Sequence, residues 1–520
     1  MTAPRRPVIA VVGGGIAGLS AAWELVTSSD IATGAGPPIV HVLEAGNRVG
    51  GKLDSAEFAG RTVDLAADAF LARRPEATEL CEQIGVRDEL VPVGTTGASI
   101  LARGRLRPMP AALNLGVPTR WWPLARSGLL SPGESLRVTK DLVMPHLGAA
   151  PVSGDRSVAD IIGERLGRPV VERLVDPLIG GINAGGVDEL SAAATFPALI
   201  AASHQTGSLM RSLGRLPRPA GSAPVFWSLR QGTASLVDRL VDKLVNPRSA
   251  WDVSIHTGVS VDAITQASGN PSGGNPSGGN PSGGNPSGGN PSGGGTWRLT
   301  LGGINAAGIT GNGEGALAVD GIVLALPAQP ASVLLAVHSP MAAGLLSAID
   351  YSSVGVVTLA VQPDAINRRL DGTGFLVPRT SPIGGRPALM TGCTYLSRKW
   401  PHLASAGTEL IRVSVGRYGD ERHTQLDDDE LTAAAFGELA QVLDIHGGFS
   451  DSRVTRWSGA FPQYRVGHLI RVAKIEEAVA ALPGMAVAGS AYRGVGIPAC
   501  VGSGRSAART VLTSLGESSR

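Results

Sequence analysis

The first fifty residues leave this chain little conformational freedom. Residues 8–12 (VIAVV) form a continuous apolar run, the pattern of a strand buried on both faces. Gly13-Gly14-Gly15-Ile16-Ala17-Gly18 follows and fits GxGxxG. Residues 19–26 then read as a helix and residues 39–43 (IVHVL) as a second strand, ending in Glu44. Strand, glycine loop, helix and strand in that order make a βαβ unit, which requires a parallel sheet. Gly13 permits the tight turn, Gly15 lets the backbone approach a pyrophosphate, and Gly18 lets the helix lie against the strand. Amides at the helix N-terminus and its dipole then attract the phosphates. Glu44 is placed to accept hydrogen bonds from ribose hydroxyls, which disfavours a 2′-phosphate.

A second glycine-rich loop decides which dinucleotide this is. After Glu44-Ala45 come Gly46-Asn47-Arg48-Val49-Gly50-Gly51-Lys52. Arg48 and Lys52 can neutralise phosphate, and the Gly50-Gly51 pair admits close backbone approach. A nicotinamide cofactor has no use for such a loop, whereas a long FAD lying across the domain does. The far end of the chain agrees. A strand ends at Ala488-Gly489, then comes Tyr492-Arg493-Gly494-Val495-Gly496-Ile497-Pro498, then Ser503-Gly504-Arg505. Small residues at a helix N-terminus can set amides against the flavin N1/O2 edge, where they stabilise the negative charge of reduced flavin.

Other classes are excluded by composition. Lys+Arg is 45 and Asp+Glu is 43, so a net charge of +2 argues against a polyanion or nucleic-acid partner. Cys81, Cys393 and Cys500 are odd in number and lack CxxC spacing. A disulfide framework and a structural zinc site are therefore not expected, and a reducing cytoplasm fits. Nine scattered His do not cluster as metal ligands, and neither GxSxG nor HExxH occurs. No run of 18 apolar residues is present, so no membrane span is expected. Residues 270–294 are NPSGG repeated five times, with no apolar side chain to bury, and are expected to be disordered. Short strands at 253–256, 259–264 and 297–301 flank them, which places the tract at the tip of an antiparallel pair. Residues 75–215 read as mostly helical. Residues 231–245 read as an amphipathic helix with Leu236, Leu240 and Leu244 on one face.

With these motifs in place, the chain resembles the oxygen-dependent FAD porphyrinogen oxidases, above all their Gram-positive and actinobacterial coproporphyrinogen III oxidase branch. The segments that carry the resemblance are VVGGGIAGLSAAWEL, LEAGNRVGGK, AADAFLARRPEA, GRLRPMP, DPLIGGINAGGVDELSAAATFP, CTYLSRKWPH, TRWSGAFPQYRVGHLIRV and GSAYRGVGIPACVGSGRSAA. The two ends are shared with amine oxidases and carotenoid desaturases; the middle segments are more selective. The resemblance implies an α/β, Rossmann-like FAD-binding fold of the p-hydroxybenzoate hydroxylase and amine oxidase type, with a mixed-sheet substrate domain and a helical domain. It implies FAD contacts at Gly13, Gly14, Gly15, Ile16, Ala17, Gly18, Glu44, Ala45, Arg48, Gly51, Lys52, Ala66, Ala67, Asp68, Val259, Trp457, Val495, Gly496 and Ile497. It also implies an enzyme that takes six electrons from a porphyrinogen, two at a time through flavin N5, passing them to oxygen as hydrogen peroxide. No catalytic residue besides the flavin is then expected.

The domain division expected on this basis is 1–75, 225–335 and 455–520 for FAD, 76–215 for the helical part, and 336–454 for substrate, with short parts of 76–110 and 205–224. Arg73, Asn183 and Tyr395 are the substrate-binding candidates, since propionates call for cations or amides and a flat ring calls for an aromatic. The plant and animal protoporphyrinogen enzymes place an Arg just before the segment matching GRLRPMP, where this chain has Ser99, so its propionate contacts must lie elsewhere. Trp121-Trp122, beside Arg120 and Arg126, suits an interfacial patch, and any membrane contact is expected to be peripheral. Product hand-over to a ferrochelatase is the expected partner interaction, although no motif encodes it. The competing readings are protoporphyrinogen IX oxidase, another flavin amine oxidase or desaturase, and a non-catalytic flavin-fold carrier.

Overall fold

A computed structural model describes residues 5–28, 36–143, 154–205, 207–216, 224–246, 251–266, 296–306, 309 and 315–518. The NPSGG tract lies outside them.

The N-terminal apolar runs become the centre of a five-stranded parallel sheet. Its order is Asp252–Thr257, Ile39–Glu44, Val8–Val12, Gly321–Leu324, Met485–Val487. Every neighbour pair is parallel, so each strand needs a covered crossover and both faces are buried. One face packs on the first helix, Ile16–Thr27, and the last, Ile497–Ser518. The other packs on Ala328–Leu335, Pro340–Ser347 and His468–Ala480. The first helix begins at Ile16, a turn earlier than its apolar pattern indicates, so Gly18 lies inside it. A Cβ on Gly18 would stand 1.9 Å from the Gly13 carbonyl oxygen, and one on Gly504 would stand 2.0 Å from that of Ala17. These glycines let helix, strand and C-terminal helix meet backbone to backbone.

A seven-stranded mixed sheet forms the second layer. Its order is Phe449–Pro462, Tyr351–Val361, Glu409–Val415, Met390–Tyr395, Gly374–Leu376, Ser99–Ala102, Arg105–Pro108. Only the pairing of Gly374–Leu376 with Ser99–Ala102 is parallel. This corrects the helical reading of 75–215 over its first part. After the helix Pro75–Gln83, short strands run from Leu90 to Pro118, and the helical region begins at Trp121. The hairpin turn is Arg103-Gly104, both with positive φ, at 55° and 73°. Two left-handed residues make the primed turn that matches strand twist, but Arg-Gly is a weaker signal for it than Asn-Gly. The helical part includes Val171–Gly180, wound as a π-helix with Pro177 inside it, a geometry concentrated at functional sites. Ser260–Gln266 and Trp297–Gly302 pair antiparallel, with Gln266 opposite Trp297, so the NPSGG tract connects two ends held side by side. The helix Ala234–Leu244 buries Leu236, Leu240 and Leu244. We propose these three units as the domains.

Candidate active site

A cavity of about 530 Å³ opens where the three units meet. On one side it is lined by Gly15, Ile16 and Ala17, by the turn at Gly50, Gly51 and Lys52, and by Ala66, Ala67 and Asp68. Val495, Gly496, Ile497 and Cys500 close that side with the N-terminus of the C-terminal helix. The opposing wall comes from the mixed sheet and from the π-helix with the loop after it, including Asp176, Gly185, Arg379 and Arg417.

The glycines of the first loop divide by role. A Cβ on Gly13 would meet the Ala325 carbonyl oxygen at 2.4 Å, and one on Gly14 would meet Val49 at 2.8 Å. A Cβ on Gly15 would meet nothing within 4 Å. Gly15 is therefore the position where the fold leaves open space beside a helix N-terminus, the cradle a pyrophosphate needs. Glu44 accepts from the Gly14 amide (2.8 Å) and the Gly46 amide (2.7 Å), tying the two glycine loops together. A carboxylate has about four lone-pair sites, so two remain for a ribose. The Val259 amide donates to the Glu44 carbonyl at 2.9 Å, and Ala45 is exposed just beyond. Arg48 turns back on its own loop: it donates to the Gly51 carbonyl (2.8 Å) and pairs with Asp54 (2.9 Å), bracing the turn. Lys52 donates to the Ala460 carbonyl, and burial lowers its pKa.

Residues 64–68 are pinned from the neighbouring sheet. Arg412 donates to the carbonyls of Asp64 and Ala66, and Trp457 Nε1 donates to that of Leu65 at 3.1 Å. Asp68 accepts from Lys399 Nζ (2.9 Å) and Trp400 Nε1 (3.0 Å). Burial alone would raise the Asp68 pKa; Lys399 and Arg412 outweigh it and pull it down to about 2. Burial pushes the Cys500 thiol up to about 11, against the nearby Lys52. The three cysteines are buried and free.

The segment 461–468 joins all three units. Gln463 Nε2 donates to the Asn183 carbonyl (3.2 Å) and to Ser352 Oγ (3.1 Å). The Tyr464 hydroxyl donates to the Ser490 carbonyl (2.5 Å) and accepts from the Gly494 amide (2.9 Å). Arg465 pairs with Glu189 and Asp350 and donates to the Tyr418 hydroxyl. His468 stacks on Tyr464 with ring centroids 4.0 Å apart and donates Nε2–H to the Tyr492 carbonyl at 2.8 Å. Burial lowers its pKa to about 4, so it is neutral at pH 7.

None of the three substrate candidates lines the cavity. Arg73 sits on an exposed turn. Asn183 is buried, its side-chain amide donating to the Ile179 carbonyl at 2.8 Å, while its neighbours Ile182 and Ala184 face the cavity. Tyr395 packs in the core against Phe375, and Thr394 takes the lining position. The arginines on this wall include Arg379 and Arg417, which no local motif marks; each lies in the loop that follows a strand of the mixed sheet.

The family model described as "Flavin containing amine oxidoreductase" matches residues 16–278 and 298–512. The chain belongs to that family. It is 32% identical to a coproporphyrinogen III oxidase of Propionibacterium freudenreichii subsp. freudenreichii, over 97% of this chain and 90% of that one. It is 29% identical to one of Bacillus subtilis (strain 168), over 98% of both. A solved structure from Exiguobacterium sp. 255-15, named as a protoporphyrinogen oxidase, superposes with a TM-score of 0.79 at 28% identity, covering 98% of this chain and 99% of that one. The chain is thus an oxidoreductase with an α/β FAD-binding fold, and FAD is its cofactor. The open Gly15 cradle and the C-terminal helix N-terminus fit that group. Among the described residues no cluster of potential metal ligands occurs, and no helix is long and apolar enough to cross a membrane.

Proposed function

We propose that this chain oxidises coproporphyrinogen III to coproporphyrin III, a six-electron change with oxygen as final acceptor and three hydrogen peroxide formed. The observation that carries the reading is the two-sided cavity: a flavin-loop side faces a wall with guanidinium groups. A large ring edged with carboxylates needs such a wall. FAD held against the Gly15 loop supplies the two-electron acceptor. The work of the chain is to orient the ring and keep it dry. Gly15 and the Val495–Gly496–Ile497 amides hold the cofactor, Lys399 through Asp68 and Arg412 through the Asp64 and Ala66 carbonyls fix the 64–68 stretch beside it, and the sheet wall presents the substrate.

Purified protein given coproporphyrinogen III and oxygen is expected to yield porphyrin fluorescence and peroxide. Fluorescence no faster than autoxidation overturns the reading. The second reading, protoporphyrinogen IX oxidase, is favoured by the name of the Exiguobacterium structure. Comparing kcat/KM for the two porphyrinogens decides between them. Trp122 is 58% exposed with the Arg126 guanidinium 5.7 Å over its ring. We propose this face for peripheral membrane contact, and product hand-over to a ferrochelatase as the downstream step.

A further inference from the structure

We propose that Arg417 anchors a substrate carboxylate, with Arg379 as the residue that positions it. This rests on the porphyrinogen reading above and names the chain's own group for the propionates.

Six charged side chains line the cavity: Lys52, Asp68, Asp176, Arg379, Arg412 and Arg417. Lys52 is spent on the Ala460 carbonyl, and Arg412 on two carbonyls and the neighbouring Asp68. Arg379 donates to the Gly185 carbonyl (3.0 Å) and faces Asp176 at 3.4 Å. Asp176 lies within ion-pair distance of Arg379 but not of Arg417, on which it acts only through space. Arg417 is different. Among the described residues its guanidinium makes no hydrogen bond, and its nearest carboxylate, Asp420, is 4.0 Å away. Asp420 is already held by Arg422 through two bonds of 2.8 Å. Yet the Arg417 side chain is only 11% exposed.

A guanidinium carries five N–H donors, and leaving them unpaired in a nearly closed site is costly. The backbone holds it there regardless: the Asp420 amide donates to the Arg417 carbonyl at 2.9 Å, closing the turn that follows the strand Glu409–Val415. A fixed fork with free donors, beside a second cation, is the arrangement that takes a carboxylate. Arg417 lies five residues beyond Arg412, which touches the flavin-side stretch. Three of those residues are strand, about 10 Å at ~3.3 Å per residue, and Gly416, with φ 83°, turns the chain before Arg417. The anchor therefore sits past the strand end, on the wall opposite the Gly15 loop, where it can hold the rim of a macrocycle.

The test is binding of the product, coproporphyrin III, and of its tetramethyl ester, by fluorescence titration of the flavin-loaded protein in the same dilute detergent. The native protein is expected to favour the acid at least tenfold. R417Q is expected to cut that preference about tenfold, the loss of a charge-assisted bond, and R417K to restore part of it. R379Q is expected to reduce the preference less. Flavin content should not change in any of them. An acid-to-ester ratio unaltered in R417Q overturns the anchor while leaving the porphyrinogen reading intact. Native protein that binds neither porphyrin overturns the reading itself. Should R417Q lose its flavin, R417K and the salt dependence of the native protein decide: affinity for the acid must fall with ionic strength and that for the ester must not.

Discussion

At the scale of single residues, Gly15 and Gly18 separate two uses of the same amino acid. Gly18 serves packing and Gly15 serves the ligand, because only Gly15 opens onto empty space. G15V is therefore expected to fold, with a thermal midpoint matching that of flavin-free native protein, but to purify with at least tenfold less flavin. G18A is expected to lower the midpoint, because its methyl has no room. Absorbance spectra and thermal scans on the two variants check this. His468 makes a second prediction. Its folded pKa, about 4, lies below the ordinary histidine value, so the unfolded chain binds the proton first as pH falls. Stability is thus retained above about 6.5 and lost on descending from there to about 4, by up to roughly 3 kcal/mol. Urea midpoints across that window should slope for the native protein and flatten in H468Q. The glycine loop is legible in sequence because its roles depend on local backbone. Arg417 is not, because its importance comes from what fails to reach it across a sheet assembled from distant strands.

At the scale of elements, strong local patterns translate directly. The runs at 8–12 and 39–43 become central strands, and 231–245 contains a helix with the expected buried face. The Arg103-Gly104 hairpin and the π-helix escape such reading. The hairpin's left-handed Arg sits in a turn closed by the pairing of Ser99–Ala102 with Arg105–Pro108, and the π-helix carries Pro177 inside it while its apolar residues pack into the helical core. The pairing of Gln266 with Trp297 bears on the NPSGG tract. The tract has no apolar side chain to contribute to either core, and the ends it joins are already adjacent. Replacing residues 270–294 with a short turn is expected to leave turnover within twofold of native and the thermal midpoint unchanged or slightly raised, since shorter loops cost less to close. A large loss of turnover in steady-state assays would assign the tract a role beyond connection.

At the scale of the whole molecule, the segment 461–468 explains why one motif matters to three units. Neighbouring side chains on it reach different parts of the cavity, so their loss should produce different defects. Tyr464 holds both ends of the 490–494 loop that precedes the cofactor-facing helix N-terminus. Y464F keeps the stack on His468 but removes the bond to the Ser490 carbonyl and the acceptor of the Gly494 amide, each worth about 1 kcal/mol or more when buried. Its flavin should be lost faster on dialysis, with KM for porphyrinogen near native in the loaded fraction. Gln463 instead ties the 183–185 loop, on the substrate wall, to Ser352. Q463A should keep its flavin and raise KM several-fold, because the wall it frees is the one beside Arg379, which leans on the Gly185 carbonyl. Dialysis followed by spectroscopy, with initial rates across substrate concentration, separates the two effects. If both variants lose flavin and substrate affinity together, the segment acts as one rigid unit and the division of labour between its side chains is wrong.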